Sequence, residues 1–215
     1  VAPNCIVTGQ DGGYGTFWFC DNTLGETEIR DLTILHSENS LYSMAIFCNY
    51  TFGRKITLNN VDIGDESVIG KELTMFRNCS SYFLYARSDE ITMVGCDNYY
   101  NMRSDDGECM SALYVGAGTW SSKLTIKDSV NYGNLTAAYV GLVIGNPYAI
   151  SEGSYSSITL DNVVNKGTIT YFTSGSAIGG NINYNTTKDG FTYNNVSYNI
   201  VNKNYIEGTI TSAKD

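Results

Sequence analysis

Six times along the chain an apolar residue, a threonine and a second apolar residue stand in a row: Leu32-Thr33-Ile34, Ile56-Thr57-Leu58, Ile91-Thr92-Met93, Leu124-Thr125-Ile126, Ile158-Thr159-Leu160 and Phe191-Thr192-Tyr193. The steps between first residues are 24, 35, 33, 34 and 33. Alternation of this kind puts the apolar pair on one face of a strand and the threonine on the other, and no helix-period pattern competes with it. Self-similarity at such a spacing is the signature of stacked repeats, so it restricts the fold more than any other feature of the chain.

The residues after each strand keep the same register. Five positions past the first apolar residue come Ser37, Val61, Cys96, Ser129, Val163 and Val196, all small or β-branched, as a tightly packed inward column requires. Seven positions past it come Asn39, Ile63, Asn98, Asn131, Asn165 and Tyr198. Stacked asparagines can pass amide hydrogen bonds from one repeat to the next, and they tolerate the backbone of sharp turns. Each period holds more than one strand: LTIKDSV, NLTA and YVGLVIG in the fourth make three walls. Third-wall counterparts are SMAIFC, SYFLYAR, MSALYVG and SGSAIGG. The expectation is an all-β chain, a right-handed parallel β-helix of about six coils. Residues 1–31, with Phe17, Trp18, Phe19 and two cysteines, do not fit the period and read as an N-terminal cap. Residues 32–215 read as the repeats of a single domain. Near the other end NKNYIEGTIT repeats the NKGTIT corner without a following third-wall strand, which suggests a cut from a longer protein or an edge that another molecule covers.

The segments VNYGNLTAAYVGLVIGN (130–146) and VNKGTITYFTSGSAIGGN (164–181), with a degraded copy at 201–211, resemble the GLUG motif. This is a glycine-rich repeat of microbial surface and secreted proteins with the outline V-N-x-G-x-[IVL]-T. The resemblance implies a right-handed β-helix in a large, often adhesive surface protein, and it implies no particular ligand or catalytic residue.

The net charge of -9 and pI near 4.5 speak against nucleic acid, because phosphate neutralisation needs clustered Lys and Arg. No apolar run approaches the length of a spanning helix, so membrane insertion is not expected. Cys5, Cys20, Cys48, Cys79, Cys96 and Cys109 lack the paired spacing of a zinc site. They allow disulfides, with Cys79–Cys109 the first guess and Cys5–Cys20 the second. Sequons at Asn49, Asn78, Asn134, Asn185 and Asn195 are candidate glycosylation acceptors in a secreted protein.

Candidate chemistry is sparse. The run SDDGEC gathers Asp105, Asp106 and Glu108 and faintly resembles the paired aspartates of polygalacturonases, but the other motifs of that family are missing. Asp62 and Asp97 share a column on neighbouring repeats, where they could hold calcium or serve a retaining glycosidase; two solvated carboxylates are the plainer reading. His36 is the only histidine, which excludes multi-histidine metal sites, and Cys96 falls in the inward column rather than in a reactive motif. The threonines read as one outward row, suited to cross-strand stabilisation rather than to a flat ice-binding surface. The 17 tyrosines, several at corners, offer rigid faces and hydroxyls for sugars or proteins. Neither a cofactor nor a catalytic residue is expected. The favoured function is a non-catalytic extracellular or cell-surface module that binds a glycan or surface protein, or self-associates end to end. A polysaccharide-active β-helix enzyme is the alternative.

Overall fold

The computed structural model describes residues 15–19, 26–36, 40–41, 45–49, 55–75, 82–86, 90–104, 110–117, 123–145, 157–176, 185–187, 190–193 and 196–213. Among these residues the chain is all-β, with one short 3-10 turn at Glu66–Val68 and no α-helix. Three sheets are built almost wholly from parallel pairs. The first contains Glu26–Ile34, Lys55–Ile63, Glu90–Val94, Lys123–Asn131, Ser157–Asn165 and Val196–Ile206, stacked in chain order. The second stacks Ser40–Leu41, Glu72–Met75, Asn101–Ser104, Leu135–Gly141, Thr168–Ser176 and Thr209–Ser212. The third stacks Gly15–Phe19, Ala45–Asn49, Leu84–Ala86, Val115–Ala117 and Ile144–Gly145. The chain thus visits the three sheets in turn, and parallel neighbours come from successive repeats.

One core joins the sheets. Leu58, Ile91, Leu124 and Ile158 enter it from the first, Leu73, Met102, Leu135 and Ile169 from the second, and Phe47, Leu84 and Val115 from the third. All are buried to within a few per cent. At roughly 1.5 to 3 kcal/mol for each fully buried large apolar side chain, this core is the main term that offsets the ordering of the backbone.

The registers agree with the sequence over the middle of the chain. Thr57, Thr92, Thr125 and Thr159 are consecutive partners, as are Ile56, Ile91, Leu124 and Ile158. The inward small column of Val61, Cys96, Ser129 and Val163 is fully buried. The two ends differ. Leu32-Thr33-Ile34 pairs with Val61-Asp62-Ile63, and it is Thr27-Glu28-Ile29 that lies beside Ile56-Thr57-Leu58. A first-sheet strand of nine residues carries two alternating pairs in succession, and in the first repeat it is the second pair that has the apolar-Thr-apolar form. The threonine pattern of the first repeat therefore lies in the other half of its strand, and Leu32 and Ile34 take the places expected for Ser37 and Asn39.

At the other end Phe191-Thr192-Tyr193 belongs to Gly190–Tyr193, which pairs antiparallel with Asn185–Thr187 and with the start of Val196–Ile206. The partner of Ile158 is Ile200, and Val163 faces Tyr205 instead of Val196. Alternation with threonine suits any strand, so it does not distinguish a hairpin from a stacked repeat. The repeated NKGTIT corner does recur: Thr168-Ile169-Thr170 lies beside Thr209-Ile210-Thr211. Gly15–Phe19, within the stretch read as a cap, pairs in parallel with Ala45–Asn49 in the third sheet.

Candidate functional site

The chain turns from the first sheet into the second at Asn98, Asn131 and Asn165, all at most 2% exposed. A buried amide must find partners for its oxygen and both protons. Here Asn98 Nδ2 donates to Asn131 Oδ1 at 2.8 Å and to the Tyr100 carbonyl at 2.7 Å. Asn131 Nδ2 donates to Asn165 Oδ1 and to the Gly133 carbonyl, both at 2.7 Å. Asn165 Nδ2 ends the ladder on the Glu207 carbonyl at 2.7 Å. The predicted asparagine stack exists over these three positions.

The glycine two residues on has a steric cause. A Cβ at Gly133 would overlap the Tyr100 main-chain oxygen, and one at Gly167 would overlap the Gly133 oxygen. Those are the carbonyls that the asparagine amides bind or lie beside. The V-N-x-G pattern is therefore one device: asparagine bonds the turn, and glycine lets the next turn lie against it.

Outside this turn lie Tyr99, Tyr132 and Lys166, each one residue past a ladder asparagine. The two rings stack with centroids 4.7 Å apart and planes 10° apart, and Lys166 Nζ stands 4.5 Å from the Tyr132 centroid. Such a cation–π contact contributes about 0.5 to 1 kcal/mol at an exposed site. Beside the rings run Asp62 and Asp97, both half-buried. Asp62 Oδ1 accepts the Asp97 main-chain N–H at 3.0 Å, and Asp97 Oδ1 accepts that of Val130 at 2.7 Å. Burial raises both carboxyls above the usual range, against the lowering effect of those bonds. The phenol of Tyr99 is pushed up to about 12, first by desolvation and then by Asp97 and Asp62. Neither aspartate is the freely solvated group that the sequence suggested, since each bonds the repeat above. The column stops there because Val130 and Val164 follow.

The other candidates are dispersed. Asp105, Asp106, Glu108, Cys5, Cys20, Cys79, Cys109, Asn78 and Asn195 lie outside the described residues. Asn49 and Asn185 fall on strands. Asn134 is exposed, and its Oδ1 accepts the Thr168 main-chain N–H at 2.9 Å. Cys96 is a buried free thiol, pushed up to about 12 by desolvation. His36 packs edge-on against Tyr100 with centroids 5.8 Å apart, and burial lowers it to about 4. Burial thus favours the uncharged form of both groups, the reverse of an activated thiolate and imidazolium. Among the described residues no three metal-ligating side chains cluster, and no helix is long and apolar enough to cross a membrane.

One column escaped the sequence reading. Asp31, Asn60, Asp128 and Asn162 all have φ between 47 and 54°, and Gly95 stands at 59°. Four of them stand inside Glu26–Ile34, Lys55–Ile63, Lys123–Asn131 and Ser157–Asn165, and Gly95 directly follows Glu90–Val94. Asn60 Nδ2 donates to Asp31 Oδ1 at 3.0 Å and Asn162 Nδ2 to Asp128 Oδ1 at 2.8 Å. The signal is in the sequence: four residues past Ile56, Ile91, Leu124 and Ile158 stand Asn60, Gly95, Asp128 and Asn162, the types that accept a left-handed backbone.

Comparison with family models, with curated proteins and with solved structures returned no match to this chain.

Proposed function

We propose that the three sheets wind as a right-handed parallel β-helix and that this helix is a non-catalytic, extracellular or cell-surface module of adhesive or structural role. The parallel order of successive repeats supports the winding, and right-handed crossover is the rule for parallel strands. The GLUG-like segments agree with it. The observation that carries the functional reading is the use made of Asp62 and Asp97. The most enzyme-like pair in the described residues accepts main-chain N–H groups from the next repeat, so one oxygen of each carboxylate holds the stack together. What remains for outside contact is the second oxygen of each, with the row of tyrosines and charges along the turn, which suits binding of a glycan or a surface protein. Self-association of repeat ends is a further form of the same structural role.

The test is a glycan-binding screen run beside a depolymerisation assay on neutral and acidic polysaccharides. Saturable binding without new reducing ends or unsaturated products is expected. Turnover abolished by Asp105→Asn and Asp106→Asn would instead establish the polysaccharide-active enzyme.

A further inference from the structure

We propose that the outer face of the turn at Tyr99 and Tyr132 is a docking strip for an ammonium-bearing glycan, a polymer of amino sugars. The inference rests on the glycan-binding reading above and names the class of glycan. Its core is the stacked tyrosine pair, which is only partly buried although its rings cover one another. Asp62 and Asp97 flank the pair on consecutive repeats. Each commits Oδ1 to a main-chain N–H, and among the described residues no donor meets either Oδ2. Glu66, exposed on the 3-10 turn below, is close enough to act on the Tyr99 phenol. Tyrosine rings and carboxylates thus lie near one another at this turn, where an ammonium group finds both a π face and opposite charge.

The chain itself supplies an example of that chemistry. Lys166 places its ammonium over the Tyr132 ring, and its charge reaches Asp97. The upper end of the strip is therefore occupied by the kind of group that the lower part would take from outside. In the first two repeats Leu35 and Ile69 are 47% and 54% exposed and offer apolar surface to the C–H faces of sugar rings. The net charge of -9 favours a cationic polymer over an acidic one.

A basic peptide would bring the same charge, but its usual route onto a β protein is strand addition through unpaired main-chain groups. At this turn those groups are taken. Asn98 N donates to Val130 O at 3.0 Å, Tyr99 N to Ile63 O at 2.9 Å, and Tyr132 N to Asn98 O and Lys166 N to Asn131 O, both at 2.8 Å. With these N–H groups committed, the tyrosine, aspartate and lysine side chains are what the turn offers, which suits a polymer recognised by its hydroxyl and ammonium groups.

The experiment measures binding of fully deacetylated glucosamine oligomers, their N-acetylated counterparts, a polyuronate and polylysine, at a pH where the amine is charged. The variant combines Asp62→Asn, Asp97→Asn and Glu66→Gln, which keeps an acceptor oxygen at each position, and its fold is checked by far-UV circular dichroism and Tm. Deacetylated oligomers should bind best, and the folded variant should bind them about tenfold more weakly. Equal binding of the N-acetylated oligomers, or an unaffected variant, would overturn the ammonium strip while leaving glycan binding intact. Binding of polylysine alone would overturn both, and so would no binding at all.

Discussion

The bend at Asp31, Asn60, Gly95, Asp128 and Asn162 and the turn at Asn98, Asn131 and Asn165 lie only a few residues apart on the same strands, and both stack short polar side chains from repeat to repeat. At the bend the side chains are exposed, so water competes for every bond between them. What matters there is the backbone, which must enter the left-handed region at each step. At the turn the backbone carbonyls and amides are sealed inside, so each missing bond leaves a buried group without a partner. The same residue type therefore acts through conformation in one place and through hydrogen bonding in the other. Sequence tolerance follows: the bend accepts Asp, Asn or Gly, whereas the turn keeps asparagine at 98, 131 and 165 and is apolar at Ile34 and Ile63 below them.

Substitutions can break this comparison or sharpen it. The largest loss is expected from Gly133→Ala, where the new methyl meets the Tyr100 carbonyl and the stacked turns must part. About 4 kcal/mol should disappear in urea unfolding, with a native state less compact than before. Asn131→Ala should cost about 3 kcal/mol, because one Asn98 Nδ2 proton, Asn165 Oδ1 and the Gly133 carbonyl lose their partner at once. If that loss were no greater than the loss at the bend, burial would not be what separates the two.

At the bend, Asn60→Ala should cost about 1 kcal/mol for a methyl in the left-handed region, whereas Asn60→Gly should stay within about 0.5 kcal/mol despite losing the bond to Asp31. A glycine variant as damaged as the alanine one would show that the side-chain bond, not the backbone, carries the bend. Thermal melts of the pair decide it.

The smallest effect concerns Asp62 and Asp97, whose carboxyls titrate above the usual range. Just above pH 4 the folded chain holds protons that the unfolded chain has released, so stability falls as pH rises through the folded-state values. Asp62→Asn with Asp97→Asn keeps the acceptor for each N–H and removes the charge. Melts between pH 4 and 7 should show that fall flattened and a gain within about 0.5 kcal/mol at neutral pH. A loss instead would mean that the charge strengthens these bonds by more than its burial costs.

Much of the fold could be read before any coordinates. The threonine rows at 57, 92, 125 and 159, the small inward column at 61, 96, 129 and 163, and the asparagines at 98, 131 and 165 rest on spacing alone, and each is in register. The candidate strip was legible only in part. Tyr99 and Tyr132 could be placed at corners, but their stacking and the cover of Lys166 depend on which repeat lies over which. The aspartate column is visible in the sequence but its bonding is not, since a main-chain N–H donor from the next repeat leaves no mark in the residue types.

The sequence by itself determined the period, the all-β character and the inward or outward sense of the middle strands, because side-chain alternation and turn chemistry are local properties that recur visibly when a unit is repeated. Tertiary structure decided which half of Glu26–Ile34 pairs with which half of its neighbour, and that Phe191-Thr192-Tyr193 turns back as a hairpin. It also decided that Asp62 and Asp97 serve the stack. Alternation has a period of two residues, so a pattern of three residues matches several registers equally, and only the packing of one repeat on the next selects among them.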